Sequence, residues 1–404
     1  MKTKALMYCS RGDRNSGHLH RAIEIARQLS ETNDVTLLID DNKSLPADVP
    51  ESVQLVCLPN SGAEIESQGK AGDSGSFNKV VIARRDTILG EFERLKPRIV
   101  VIDGFPFSQQ QRRGELLPLI ERARNGIYGE SLVVCTTDSI VIDEQMGGEC
   151  RADLAAAVLD KYFDLIIVQS DPVFARLEEF FRSRITLHTP AYHTGFVMSE
   201  RSGPARPRDE AGAASILVSA GDGQHGGALF RAAIESQRVL WPLVARPMQL
   251  IAGQRLPKVE YQELLDRANG MPGILITRHV DNLTAEMSRA CCSVSQCDYA
   301  VALAAISTRT PSLFVPCLGS QRQEQVVRAQ RLVCWGAGRL LLPQHLNSAS
   351  LTNEINRLPQ FPVRRIRFET NGAANAANMI DRVLHCHDAG SQSLHFAAPG
   401  PCPN

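Results

Sequence analysis

The feature that most constrains the fold is a repeated alternation, in which short uninterrupted apolar runs bounded by turn residues are each followed by a longer amphipathic stretch. In the first half the runs are residues 4–9, 35–39, 53–57, 99–103, 132–135 and 165–168, rich in Val, Ile and Leu. A strand with one solvated face would alternate apolar and polar residues. These do not, so both of their faces are expected to be covered, as in a parallel sheet flanked by helices. Between the first two runs Leu19, Ala22, Ile23, Ala26 and Leu29 recur at helical spacing, with Arg21, Glu24 and Arg27 on the other side. Strand, glycine-bearing loop and helix in that order make a βαβ unit, and its repetition predicts an α/β chain.

Residues 199–212 (SERSGPARPRDEAG) concentrate Pro, Gly and charge and read as an exposed linker. The alternation then restarts, with strands expected at 215–219, 248–252, 274–277, 292–294 and 312–315 and a late helix near 373–384. We therefore divide the chain into a first unit, 1–198, the linker, a second unit, 213–387, and a tail, 388–404, expected to be mobile. With 404 residues, each half is long enough to bury its own core. In open parallel sheets, ligands sit at the carboxyl ends of the strands, so two such sheets facing across a cleft would hold one ligand each.

The 44 basic and 44 acidic side chains balance, which removes the electrostatic argument for a nucleic-acid or anionic-membrane partner. Nowhere do about 18 uncharged apolar residues run together, so no transmembrane segment is expected. The start, Met1-Lys2-Thr3-Lys4, leads into an apolar run too short for a signal peptide, and a cytoplasmic location is the expectation. Eleven cysteines show no C-x-x-C spacing and read as reduced thiols, with Cys57, Cys135 and Cys317 acting as small hydrophobes inside apolar runs. Cys291, Cys292 and Cys297 with His279, or the triplet His385-Cys386-His387, are the alternative metal-binding sets. Arg84-Arg85 and Arg112-Arg113 read as solvated faces, and Tyr192 and Phe196 as packing residues.

Three loops could carry chemistry. Asn15-Ser16-Gly17-His18-Leu19-His20-Arg21 follows the first strand and opens the first helix. A glycine there lets backbone approach a ligand, and an imidazole over the cleft could remove a proton near neutral pH, which makes His18 the candidate general base. A histidine that caps the helix and packs on the sheet edge fits the same spacing. The second loop, residues 219–227, satisfies G-x-G-x-x-G at Gly221, Gly223 and Gly226. The next strand ends in Gly253 and Gln254 with no acid to hold a ribose, so a nicotinamide enzyme is disfavoured. The third region is residues 293–299 and, after the strand 312–315, Gln323 to Ala329. A helix starting near Asp298 could present N–H groups to an anion, and Gln and Glu side chains suit hydroxyl recognition. Asp103 and Asp138, at strand ends of the first half, would bind a cationic or polyhydroxylated acceptor such as an aminocyclitol, or would cap loops.

In order along the chain stand G-H-x-x-R (Gly17 to Arg21), F-P-F (Phe105 to Phe107), T-G-F-V (Thr194 to Val197), V-S-A-G-x-G (Val218 to Gly223), S-Q-x-x-Y (Ser295 to Tyr299), V-P (Val315, Pro316) and E-Q-x-x-R-A (Glu324 to Ala329). This order resembles the family 28-like branch of GT-B glycosyltransferases, which includes the N-acetylglucosaminyltransferase that makes lipid II, over about residues 4 to 385. The resemblance implies two Rossmann-like domains facing across a cleft, the first binding a small-molecule acceptor and the second an activated sugar donor, a nucleoside diphosphate sugar. It also implies an inverting transferase that needs no cofactor, with His18 as base. The donor residues would be Gly221, Gly223, Gln224, Val280, Ser295, Gln296, Asp298, Glu324, Gln325 and Arg328, and the acceptor residues Gly17, Asp103 and Asp138. A related sugar-nucleotide hydrolase also has a histidine in the first loop, so hydrolysis belongs among the alternatives.

One departure is pronounced. Where relatives carry G-G-Y-N-T-x-x-E at the donor site, this chain reads Cys297, Asp298, Tyr299, Ala300, Val301, Ala302, Leu303, Ala304. The glycines, the threonine and the ribose-binding glutamate are absent, and an acid at the helix start would repel a diphosphate. Three explanations follow. The donor could be phosphoribosyl pyrophosphate, with Asp298 helping to hold magnesium. Glu324 and Gln325 could recognise the ribose alone. Or the chain could be a silent sugar-binding or partner protein.

Overall fold

The computed structural model describes residues 2–9, 17–40, 49–59, 74–108, 110–141, 148–198, 215–317 and 323–388; the linker and residues 389–404 lie outside them. The first sheet contains β1 (Thr3–Cys9), β2 (Asn33–Ile39), β3 (Val53–Cys57), β4 (Ile99–Asp103), β5 (Leu132–Thr137), β6 (Leu165–Val168) and β7 (Ala191–His193), in the order β3-β2-β1-β4-β5-β6-β7. The second contains β8 (Ile216–Ser219), β9 (Met248–Ile251), β10 (Ile274–Thr277), β11 (Cys292–Ser295), β12 (Ser312–Phe314) and β13 (Gly338–Leu340), in the order β10-β9-β8-β11-β12-β13. Every pairing is parallel. The α/β class expected from the alternation is therefore present twice. β7 (Ala-Tyr-His) and β13 (Gly-Arg-Leu) escape the sequence reading because each is short and carries a polar or charged residue, so neither makes an apolar run.

The missing alternation has its reason in the layers. Ala5, Met7 and Cys9 of β1 pack on Leu19, Ile23 and Ala26 of helix α1 (Gly17–Leu29), while Leu6 and Tyr8 face Ile88, Phe92, Leu116 and Leu119 on the opposite side. Each buried Leu or Ile contributes roughly 1.5–3 kcal/mol, so a two-sided apolar strand is held on both faces.

The last helix, Gly372–Asp388, departs from the boundary drawn at 387. It returns to the first unit, where Ala376, Ile380, Val383 and Leu384 join the core of α1. The Asp381 carboxylate accepts hydrogen bonds from Thr32 Oγ1 (2.7 Å) and Asn33 Nδ2 (2.9 Å). The second sheet has no vacant face for it. Helices Gly227–Val244 and Ser348–Arg357 cover one side, and Tyr299–Thr308 and Gln323–Cys334 the other. The units also share apolar packing: Phe174 and Phe196 of the first lie in one cluster with Leu217, Tyr299 and Phe314 of the second, the Phe196 and Tyr299 ring centroids 5.8 Å apart. Phe196 is thus the packing residue expected, and Tyr192 packs beside the core of the first sheet.

Arg84 and Arg112 are not on solvated faces. The fully buried Arg84 guanidinium bonds Asp40 (2.6 Å) and Glu115 (2.8 Å), and Arg112 bonds Glu115 (3.0 Å). Arg85, by contrast, is only partly buried and pairs with the exposed Asp86 at 2.9 Å.

In each sheet the strand order reverses beside its first strand, between β1 and β4 and between β8 and β11. Loops leave these neighbouring strands in opposite directions, so each reversal opens a crevice at the carboxyl ends.

Candidate active site

Asp103 is the last residue of β4, and α1 begins one residue before His18, so the first crevice brings the two together. His18 Nδ1 lies 2.9 Å from Asp103 Oδ2, and Thr136 Oγ1 donates to Asp103 Oδ1 at 2.7 Å. Burial pushes the Asp103 carboxyl up, but His18, Arg21 and Thr136 together hold it below the usual carboxylate range. An ionised carboxylate only accepts, so the network assigns the proton to Nδ1 and the lone pair to Nε2. Arg21 Nη2, 3.1 Å from the same Nδ1, cannot then donate to it and acts instead on the carboxylate by its charge. Nε2 bonds no described residue, and the side chain is 20% exposed. A ring nitrogen spent on a buried acid, with the other left open, is the arrangement of an oriented general base. Gly17 starts α1, and a Cβ there would meet nothing closer than Arg21 Nη1 at 3.9 Å, so packing does not demand the glycine.

The second crevice contains a cavity of about 230 Å³ lined by Gln224, His225, Glu260, Gln296, Pro316 and Cys317, among others. Small-molecule pockets run to roughly 300–1,000 Å³, so this one suits a single moiety of a ligand. Gln296 Nε2 donates to the His225 carbonyl at 2.9 Å, and Gln224 Oε1 is buried without a partner among the described residues. The glycines of this loop are demanded by packing. Gly221 and Gly223 have φ of 60° and 89°; a Cβ would lie 2.2 Å from Asp298 Oδ2 at the first and 2.0 Å from the Ala252 carbonyl oxygen at the second.

Other donor candidates are placed less favourably for contact with a ligand. Ser295 is fully buried within β11, its Oγ 2.9 Å from Ser219 Oγ and 2.8 Å from Ser293 Oγ. Val280 is half-buried against the cluster shared by the units. Gln325 is buried, its Oε1 accepting from Cys317 N at 3.2 Å while Nε2 has no partner among the described residues. Glu324 is half-buried, with its charge acting on Arg328.

Asp298 is the N-cap of the helix Tyr299–Thr308, its Oδ1 accepting from Val301 N at 2.8 Å. The N–H groups that could have met an anion are thus partly answered by the chain's own carboxylate. Its other oxygen lies against Gly221, and no group of three His, Cys, Asp or Glu able to hold a metal is found among the described residues. In the two alternative cysteine and histidine sets, His279 lies 3.7 Å from Asp281 and His387 3.7 Å from Glu130.

Arg328 and Asp138, read as donor and acceptor residues, meet each other. Arg328 Nη2 bonds Asp138 Oδ2 across the units at 2.9 Å, and Nη1 donates to the Cys297 carbonyl at 3.0 Å. Burial disfavours the charged guanidinium, but Asp138, followed by Cys297, Glu324 and Asp298, keeps its basicity above the ordinary value. Among the cysteines, Cys135 and Cys317 are buried as expected and Cys57 is exposed. At Cys291 the neighbouring Cys292 thiol, 3.8 Å away, and then Arg246 pull the thiol below its ordinary value against burial.

The two crevices meet at Tyr299. Its ring carries the Arg21 guanidinium at 4.2 Å, and its hydroxyl donates to the Gln169 carbonyl (3.0 Å) and accepts from Val197 N (2.9 Å), both in the first unit. Arg21 and Tyr299 close the G-H-x-x-R and S-Q-x-x-Y patterns, the one signal that could have marked them; their contact spans elements that no spacing connects.

No family model matches the sequence, and no curated protein matches it. Solved structures do. CalG4, the calicheamicin glycosyltransferase, is 16% identical over 95% of this chain and 98% of that one, with a TM-score of 0.63. Phytolacca americana UGT2, solved with UDP-2fluoro-glucose and pterostilbene, is 12% identical over 95% and 94%, with a TM-score of 0.57. Acinetobacter baumannii MurG is 14% identical over 96% and 100%, with a TM-score of 0.54. At such identities the likeness shows the fold: two Rossmann-like units facing across a cleft, the GT-B fold of glycosyltransferases.

Proposed function

We propose that the chain is an inverting glycosyltransferase, moving a sugar from a nucleoside diphosphate donor held by the second unit to a small-molecule acceptor bound at the first. The observation that carries this reading is the His18–Asp103 pair, with Nδ1 fixed at 2.9 Å and Nε2 without a partner among the described residues. Nε2 takes the proton of the acceptor hydroxyl or amine as that atom attacks the anomeric carbon. The bond to the diphosphate breaks on the opposite face, and Asp103 stabilises the imidazolium that forms. One base and a good leaving group complete a direct displacement, so the proposal needs no cofactor. A cytoplasmic location belongs to the same reading; no described helix is long and apolar enough to cross a membrane.

The test is transfer or nucleotide release from a panel of nucleoside diphosphate sugars, with the anomeric configuration of the product read by NMR. His18→Ala is expected to lower kcat about 10²- to 10⁴-fold while the protein stays folded. A folded His18→Ala variant with full turnover would remove the base, and a retained configuration would remove the mechanism. A second reading, a binding protein without turnover, is favoured by Asp298 at the helix end. Turnover of none of the donors, together with sugar binding, would select it.

A further inference from the structure

Arg21 is 4% exposed, and it lies between the base and the other unit. Its Nη2 is 3.1 Å from His18 Nδ1, its guanidinium carbon is 4.2 Å from the Tyr299 ring centroid, and its Nε has no partner among the described residues. The Tyr299 ring is therefore a principal restraint on the guanidinium plane. This matters because His18 Nδ1 and Asp103 Oδ2 are also 2.9 Å apart, so guanidinium and imidazole compete for one carboxylate. An Arg21 free to move has a competing arrangement. It could bond Asp103 directly, a charge-assisted pair that displaces Nδ1–H and leaves Nδ1, already 3.1 Å from Nη2, to accept from the guanidinium. That arrangement requires the Nε2–H tautomer, in which Nε2 has no lone pair to take a proton.

We propose that Arg21 is a positioning residue: the Tyr299 ring of the second unit holds its guanidinium where it reinforces the Asp103 carboxylate by its charge without displacing His18 from that carboxylate. Seating of the second unit on the first thereby sets the tautomer of the base. The proposal deepens the glycosyltransferase reading by naming what regulates its base, but the tautomer itself can be observed without substrate.

The experiment is ¹⁵N NMR of the full chain labelled at histidine, with His18→Gln assigning the His18 ring signals. The wild type is expected in the Nδ1–H form. Tyr299→Phe keeps the ring and is expected to leave that ratio unchanged. Tyr299→Leu removes the ring face and is expected to lower the ratio of Nδ1–H to Nε2–H about three- to tenfold, in keeping with the strength of a desolvated cation–π contact. Arg21→Met added to Tyr299→Leu is expected to restore it, since the competitor is gone. Arg21→Lys, a point charge that cannot stack, is expected to shift the ratio in the same direction, and decides the matter alone if Tyr299→Leu does not fold. A ratio within twofold of wild type in every folded variant among Tyr299→Leu and Arg21→Lys overturns the proposal, as does a failure of Arg21→Met to restore it. Neither result depends on whether the chain transfers a sugar.

Discussion

The two crevices are built by the same topology and filled in opposite ways. At the first, Asp103 and Thr136 orient His18, whose Nε2 has no partner among the described residues. At the second, the charged groups nearest the strand reversal are spent on the protein, Asp298 on its own helix and Arg328 on Asp138, and Ser295 on its neighbours in the sheet, while Gln224 Oε1 and Gln325 Nε2 have no partner among the described residues. Strand order makes a place for a ligand, and the residues at the loop ends decide whether that place keeps any unspent chemistry. In this chain it is retained by the base and largely withdrawn from the helix end opposite it.

The largest effect expected from this contrast is structural. If Arg328 serves the interface, Arg328→Met leaves Asp138 facing an unpaired contact and frees the Cys297 carbonyl, and should cost about 3 kcal/mol in urea unfolding. An Arg328 that serves a donor instead would leave stability unchanged and alter only binding. A smaller effect separates the loop glycines. Gly223→Ala forces a left-handed Ala against the Ala252 carbonyl and should cost about 2 kcal/mol, whereas Gly17→Ala, with open space around it, should change stability by less than about 0.5 kcal/mol. Equal losses at the two positions would erase the distinction between a loop shaped by packing and one left open.

The sequence made the sheets legible because a strand covered on both faces advertises itself as an unbroken apolar run, as 99–103 and 165–168 do. It also exposed the His18 loop, because strand, glycine and helix fall in order within a few residues. What it could not expose is pairing at a distance. Arg84 reads as a surface residue beside Arg85 until Glu115, 31 residues on, and Asp40 meet it in the core. Asp138 and Arg328, 190 residues apart, read as contacts for separate ligands but bind one another. The return of the helix Gly372–Asp388 is hidden for the same reason: its periodicity declares an apolar face but not which sheet still has room for it. Asp298 is an intermediate case, since Asp before a helix is a common cap and the cap is legible from the sequence alone.

The smallest effect expected is also the one that most sharpens the contrast. Asp298→Ala removes the cap of the helix Tyr299–Thr308 and should cost about 1 kcal/mol, the usual value for an N-cap acid. The same change exposes the N–H of Val301, which Oδ1 held at 2.8 Å, and takes a negative charge from the end of a helix whose dipole favours anions. The variant should therefore bind pyrophosphate or uridine diphosphate about threefold or more tightly than wild type in calorimetry without added metal. A wild type that binds these anions well only with magnesium, and a variant that has lost that binding, would mean that Asp298 works through a cation. The second crevice would then hold unspent chemistry after all, and the two halves of the molecule would be alike where they now look opposed.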